Sequence, residues 1–273
     1  MIPEGNLKSN IDRFTGYQNL YDKYRPEAPQ AVIRILTNYL GRRPSIVMDV
    51  GCGTGLSTFV WNGHADRIIG VEPSDDMRSK ALEKAAESSG DSDIRFVPGY
   101  SNQLDMESDS VDIITCSQSF HWMEPSSTLQ EFARVLRDGG VFAAYDCDWP
   151  PTLTWTIEHE YNKLIQKSDA LLKQLVEENK QAVKRNKEEH LQHIQNSNAF
   201  RFAKEIVFHN MEPCDAERYA GLAISQGGLQ TILKQGSTAL DEDIAAFKSV
   251  VEAYFQGRTL DVLFSYRMRL GVK

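Results

Sequence analysis

One stretch constrains the fold more than any other: Val47-Met48-Asp49-Val50-Gly51-Cys52-Gly53-Thr54-Gly55. A short apolar run breaks into three alternating glycines, which is how a buried strand hands its backbone to a tight ligand-binding turn. Glycine lacks a Cβ, so the turn can bring N–H groups against a ligand, and a helix N-terminus after it favours negative charge. The next apolar run, Ile68-Ile69-Gly70-Val71, ends in Glu72, twenty-one positions beyond Gly51. A dinucleotide-type sheet needs its acceptor for ribose hydroxyls at about that separation. The two signals together point to an α/β enzyme that grips a nucleoside at the carboxyl edge of its strands.

Glycine spacing narrows the ligand. A dinucleotide fingerprint carries a third glycine at the sixth position, where this chain has Leu56. The pattern G-C-G-T-G, with Asp49 two residues before it, resembles motif I of the class I S-adenosylmethionine-dependent methyltransferases. Ile68 to Ser74 resembles their second motif. The runs Ile94–Gly99, Ser110–Gln118 and Phe132–Phe142 are similar to the later motifs, in order, so the resemblance covers roughly residues 10–147. Tyr21-Asp22-Lys23-Tyr24-Arg25-Pro26 and Phe120-His121-Trp122 resemble the small-molecule branch that includes trans-aconitate methyltransferase. Gly99-Tyr100-Ser101-Asn102 departs from relatives, which often carry an acidic residue followed by Ala-Glu.

Composition bounds the partners. The net charge of −8 and pI of about 5.3 leave no general attraction for nucleic acid, and no basic stripe supplies a local one. The opening residues, Met1 to Asn6, lack an apolar leader, and no run approaches a membrane span, so a cytoplasmic protein is expected. Cys52, Cys116, Cys147 and Cys214 are scattered without metal-ligand spacing, which predicts free thiols. Cys52, between glycines near a helix start, reads as a small turn residue or as a reactive thiol. A small-molecule substrate and a monomer or homodimer are the expected partners.

Along the chain, the first forty residues read as helix, stopped by Gly41. Strands are predicted at 45–50, 67–72, 94–98, 111–117 and 141–146, and helices at 55–62, 74–88 and 125–137. This alternation predicts a doubly wound, mostly parallel Rossmann-like sheet. A long polar helical stretch from Thr154 to His193, with Leu164, Leu171, Leu172, Leu175 and Val176 as its apolar stripe, reads as a cap or as a solvated hairpin. Lys204–His209 reads as a sixth strand, Asp215–Gln226 and Asp241–Phe255 as helices, and Leu260–Val272 as a final strand that suits an antiparallel finish. The resemblance implies seven strands with the last inserted between the fifth and sixth. The expected organisation is an N-terminal helical segment (1–40), a cofactor-binding core (41–150), a helical cap insertion (151–200) and completion of the sheet (201–273).

The resemblance implies S-adenosyl-L-methionine as cofactor and S-adenosyl-L-homocysteine as product. In that frame Asp49 orients the glycine loop or receives the cofactor's ammonium through water. Gly51, Cys52, Gly53 and Gly55 present backbone, and Glu72 accepts both ribose hydroxyls. Tyr100 and Ser101 meet the adenine edge, and Met77 packs on adenine or in the core. Phe14, Tyr17, Tyr21 and Tyr24 recur at helical spacing, which by itself reads as core packing. Relatives fold this segment over the cofactor, which implies Tyr17 and Tyr21 near the methyl group and Arg25 near the methionine carboxylate. Gln118 and Ser117 are polar candidates beside cofactor or acceptor. His121, after the fourth strand, reads as a general base or, with Phe120 and Trp122, as a wall of the substrate pocket.

No metal is expected. His190 and His193 lie three apart on a predicted helix, but only Glu189 accompanies them, which favours a solvated helix end; the charged run Glu177–Glu189 likewise reads as exposed surface. The expected activity is methylation of a small organic acceptor, with a carboxylate first and N- or C-methylation of a metabolite behind it. The alternative is a non-catalytic protein that holds S-adenosylmethionine or another adenosine ligand as a scaffold.

Overall fold

Runs rich in Val and Ile become strands because β-branched side chains pack well on both faces of a covered sheet. The computed structural model describes residues 2–87, 90, 92–177 and 181–273. Five of its strands are parallel: β1 (Ile46–Val50), β2 (Arg67–Val71), β3 (Asp93–Val97), β4 (Val111–Ser117) and β5 (Leu136–Cys147). Two long strands, β6 (Phe202–Cys214) and β7 (Leu260–Val272), complete a seven-stranded sheet of order β3-β2-β1-β4-β5-β7-β6. β7 runs antiparallel to both of its neighbours, so the sheet is mixed. The chain winds outward from β1 to β3 and then returns to β4 on the other side of β1. A crevice therefore opens at the carboxyl ends of β1 and β4.

The two-residue period of the strands divides the core. Val47, Ile68, Ile113 and Val141 face one way, while their chain neighbours Met48, Ile69, Ile114 and Phe142 face the other. The first face is covered by α3 (Gln30–Leu40), α6 (Trp155–Leu175), α8 (Ala216–Ile224) and α10 (Asp241–Phe255), through buried residues such as Leu36, Tyr161, Tyr219 and Phe247. The second is covered by α5 (Pro125–Val135), through Leu129 and Phe132, and by α7 (His190–Asn196), through Ile194. At the amino edge the wholly buried Asp112 accepts Ser45 N–H at 2.7 Å and Ile46 N–H at 2.9 Å, and pairs with Arg42 and Arg137. That carboxylate clamps β4 to the start of β1.

Several helices differ from expectation. The first forty residues form three, α1 (Lys8–Asp12), α2 (Gln18–Tyr24) and α3, because Gly16 turns the chain at φ +80° and Pro26 and Pro29 interrupt it. The helix expected over 55–62 is a turn with a 3₁₀ segment at Phe59–Trp61. Gly55 there stands at φ +84°, and the hydroxyls of Ser57 and Thr58 are drawn to Asp49. α4 (Asp75–Glu87) matches the next predicted helix up to residue 88, which lies outside the described residues.

The long stretch from Thr154 resolves into α6 and, much later, α7; residues 178–180, part of the Glu177–Glu189 run, also lie outside the described residues. α6 packs on α9 (Gly227–Lys234) and α10, buries Ile157, Tyr161 and Leu164, and leaves Leu175 exposed. α9 was not foreseen, because its Gly227-Gly228 start reads as a loop. Among the described residues no helix is long and apolar enough to cross a membrane.

Candidate functional site

The crevice at the carboxyl edge of β1 to β4 is a cleft enclosing about 1040 Å³ of empty space, roofed by the N-terminal segment. The glycine turn forms the floor. Gly51 stands at φ +71°, and a Cβ there would fall 2.6 Å from that of Ser119, so only glycine serves. Gly51 and Cys52 both donate their N–H to Val71 O, at 2.8 and 3.2 Å, which locks the turn against the end of β2.

Glu72 leaves β2 directly into this cleft. Its Oε2 accepts Gly53 N–H at 2.9 Å and its Oε1 accepts Ser74 N–H at 2.8 Å. Burial pushes the carboxyl up to about 7, against the pull of those two N–H donors. Glu72 is thus both latch of the glycine turn and a carboxylate with lone pairs left for a ligand's hydroxyls.

Asp49 does not line the cleft. It is fully buried and accepts three hydroxyls, from Ser57 at 2.6 Å, Thr58 at 2.7 Å and Thr115 at 2.9 Å. Burial raises its pKa while those hydroxyls oppose the shift. It shapes the glycine turn from beneath. Gly55 also lies off the cleft, close under Phe59 and Phe96. Cys52 lines the cleft, but burial, with the charges of Glu72 and Asp49, pushes its thiol well above the ordinary value. That favours the small turn residue over the reactive thiol. All four cysteines are free and buried.

Met77, Tyr100 and Ser101 line the cleft together with Glu72. Ser101 Oγ lies 2.7 Å from Thr128 Oγ1, so its hydroxyl is already engaged by α5. From the β4 side come Ser117, Gln118 and Ser119. Gln118 is held at φ +53°, donates its N–H to Tyr145 O, and accepts Trp149 Nε1 at 3.4 Å. Such a left-handed non-glycine conformation at a cleft is a mark of a functional turn.

The roof brings Asn10, Phe14, Tyr21, Arg25 and Trp122 to the cleft. Phe14 meets Tyr21 at 6.4 Å and Trp122 at 6.1 Å, both edge-on. Arg25 stacks between Tyr21 and Trp149, at 5.4 and 4.6 Å, and donates from Nη2 to Ser225 O. Tyr17 is placed differently from expectation: it is buried behind Phe14, under Lys234, and does not reach the cleft.

Phe120 and His121 are also turned away. Phe120 is core, packed on Phe142 and on the His190 ring at 4.9 Å. His121 Nδ1 lies 3.4 Å from Asp146 Oδ1, and burial pushes the imidazole down to about 3, so it is neutral at physiological pH. His190, expected at a solvated helix end, is instead buried beside them, its Nε2 3.8 Å from Asp146 Oδ2. Only His193 behaves as expected, facing Glu189.

His121, Asp146 and His190 each offer a ligand atom, all within 4.8 Å of one another. The carboxylate they share is already met by cations: Lys187 at 2.6 Å, with Arg269 at 3.9 Å behind it. Burial opposes its ionisation, but His121 and Lys187 hold it well below the usual carboxylate range. The group forms an ion-pair hub that fastens Lys187 and α7 onto β5 and β7. The sequence signal for it was a carboxylate at a strand end, as at Glu72, but nothing local tied Asp146 to residues forty positions on.

Residues 48–144 match a family described as a methyltransferase domain. A probable S-adenosylmethionine-dependent methyltransferase of Saccharomyces cerevisiae is 34% identical over 125 residues, 45% of this chain and 43% of that protein. An uncharacterized methyltransferase of Bacillus subtilis is 32% identical over 116 residues, 41% of this chain and 46% of that one. The matched part spans under half the length of these curated relatives. Among solved structures, a putative type II methyltransferase from Anaeromyxobacter dehalogenans aligns over 91% of this chain and 98% of its own, with a TM-score of 0.63 at 19% identity. A Haemonchus contortus phosphoethanolamine N-methyltransferase, solved with S-adenosyl-L-methionine, aligns over 100% of this chain and 61% of its own, with a TM-score of 0.54 at 15% identity. These two likenesses concern the fold.

Proposed function

We propose, from the premise that this chain carries a class I S-adenosylmethionine-dependent methyltransferase domain, that it methylates a small organic acceptor, a carboxylate first among candidates. The observation that carries the reading is Glu72. A buried carboxylate at the end of β2, bonded to the glycine turn and open to the cleft, fits a ribose diol. Leu56 in place of a third glycine favours a nucleoside sulfonium over a dinucleotide. The name of the Saccharomyces cerevisiae relative supports the same cofactor.

The cofactor supplies an electrophilic methyl group when bound. In this reading Gly51, Cys52 and Gly53 present backbone to it, Glu72 holds the ribose, and Met77, Tyr100 and Ser101 flank the adenine. Tyr21, Arg25 and Gln118 surround the methionine end. The remaining task of the protein is to align the acceptor and exclude water, which suits the aromatic roof of Phe14, Tyr21 and Trp122. His121, turned to Asp146 and off the cleft, offers no base in this conformation. That favours an acceptor that arrives already ionised, as a carboxylate does.

Calorimetric titration with S-adenosyl-L-methionine, S-adenosyl-L-homocysteine and NAD tests the cofactor, repeated on Glu72→Ala and Glu72→Gln. Binding of the first two, weakened in both variants, is the expected result. Binding of NAD alone would sink the reading, and binding of none would favour a scaffold. Methyl-transfer assays on a panel of organic acids then test the acceptor.

A further inference from the structure

The cleft holds few charges, and the cofactor takes them all. Among the described residues that line it, Arg25 and Glu72 alone carry a formal charge. In the reading above Glu72 holds the ribose and Arg25 stands at the methionine end, so neither is left for an acceptor. Two cations beyond the roof are directed elsewhere. Arg13 lies 4.0 Å over the Trp122 ring and opens on a depression separate from the cleft, with Asp169 among its electrostatic partners. Lys187 is held by Asp146 at 2.6 Å, off the cleft.

What remains beside the methyl group is apolar or already engaged. An acceptor has to approach from the β4 side of the glycine turn, where Phe14 and Trp122 meet edge-on at 6.1 Å and the buried Met123 packs against Gly51. Ser119 Oγ donates to Val50 O at 2.7 Å. Asn10 donates from Nδ2 to Trp122 O at 2.9 Å and accepts Val183 N–H at 2.8 Å. Gln118 is turned to Trp149 through its Oε1. A buried anion on this side therefore meets no side-chain cation, and an unpaired buried charge is costly.

One anion escapes that cost, a carboxylate set against the positive sulfur of the bound cofactor. Transfer joins the carboxylate oxygen to the methyl carbon and returns the carbon–sulfur electron pair to sulfur, leaving a neutral ester and a neutral thioether. A second anionic group on the acceptor has no such partner.

We infer that the site selects acceptors with a single carboxylate on an apolar body and rejects those with a second anionic group, through the uncharged wall of Phe14, Trp122 and Met123. This rests on the methyltransferase reading above and deepens it by naming the class of acid. Selectivity here comes from an unpaired charge imposed on the wrong acceptor as much as from contacts offered to the right one.

The test is titration of the full chain with hexanoate, adipate and 4-phenylbutyrate. The chain is loaded either with S-adenosyl-L-homocysteine or with sinefungin, whose ammonium stands in for the sulfonium. Hexanoate and adipate differ only at the far end, methyl against carboxylate. Expected is binding of both monoacids to the sinefungin complex about tenfold or more tighter than adipate, and weaker binding of them to the neutral S-adenosyl-L-homocysteine complex. Phe14→Lys, which sets a cation in the wall at a half-buried position, removes the preference for hexanoate over adipate; Met123→Lys stands in should Phe14→Lys not fold. Adipate bound as tightly as hexanoate, hexanoate bound equally by both complexes, or none of the acids bound would overturn the inference, as would a preference that survives both substitutions. Should neither sinefungin nor S-adenosyl-L-homocysteine bind, the methyltransferase reading fails instead.

Discussion

Glu72 Oε2 accepts the backbone N–H of Gly53 at 2.9 Å, so the carboxylate after β2 is tied to the glycine turn after β1 before any ligand arrives. One side chain therefore sets both the shape of the turn and the charge in the cleft, and its protonation state couples the two.

The coupling predicts a pH dependence of fold and binding with opposite signs. Burial raises the Glu72 carboxyl from 4.5 to about 7, so between those values the folded state holds a proton that the unfolded chain has lost. Stability contributed at this site is then lost as pH rises from about 4.5 to about 7, by roughly 3 kcal/mol in full. Hydroxyl donors of a ribose favour the ionised form, so affinity for S-adenosyl-L-methionine rises over the upper part of that window. Urea midpoints of wild type and Glu72→Gln between pH 5 and 8, with calorimetry at each pH, check both trends. A wild-type affinity independent of pH across 6 to 8 would remove Glu72 from the ligand.

Gly51 and Gly53 both stand at positive φ but differ in surroundings. A Cβ at Gly51 meets Ser119 Cβ at 2.6 Å, whereas one at Gly53 meets nothing within 4 Å. Gly53→Ala is expected to cost only the left-handed backbone penalty of about 1 kcal/mol. Gly51→Ala adds the clash, for about 3 kcal/mol in all, and weakens cofactor binding by displacing the turn. Denaturant midpoints for the two variants should separate in that order.

At the end of β5, Asp146 is the counter-charge of Lys187 at 2.6 Å and of the buried Arg269. Asp146→Asn leaves those cations facing two neutral imidazoles, and the expected loss is about 3 kcal/mol, softened because Arg269 keeps Glu205 at 2.7 Å. Limited proteolysis should then cut between residues 181 and 189 faster, with cofactor affinity little changed. Equal proteolysis of wild type and variant would show that the hub does not fasten this segment.

Much of the sheet was legible because its signals are local. Strand runs such as Val111–Ser117 and Leu260–Val272 match their predicted bounds, since β-branched composition and turn breakers act within a few residues. The glycine turn and Glu72 were legible for the same reason: backbone geometry at Gly51 and the length of one strand-to-strand crossover set their relationship. Where local signals competed with distant partners, the reading failed. Ser57 and Thr58 abandoned a helical pattern for the buried Asp49. Tyr17 shared the helical spacing of Phe14 and Tyr21, and Phe120 adjoins Trp122 in one short motif, yet packing turned both inward while their neighbours reach the cleft.

By itself, then, the sequence determined a parallel α/β core with a nucleoside-binding edge, because strand period, glycine freedom and a carboxylate at fixed separation need no distant contact to be read. Only the tertiary structure decided which polar groups meet. His121 and Asp146 lie far along the chain from Lys187 and His190, as Arg25 does from Ser225, and no spacing rule links them. Burial then decides their chemistry, since a charge removed from water is governed by the few groups that the fold places beside it.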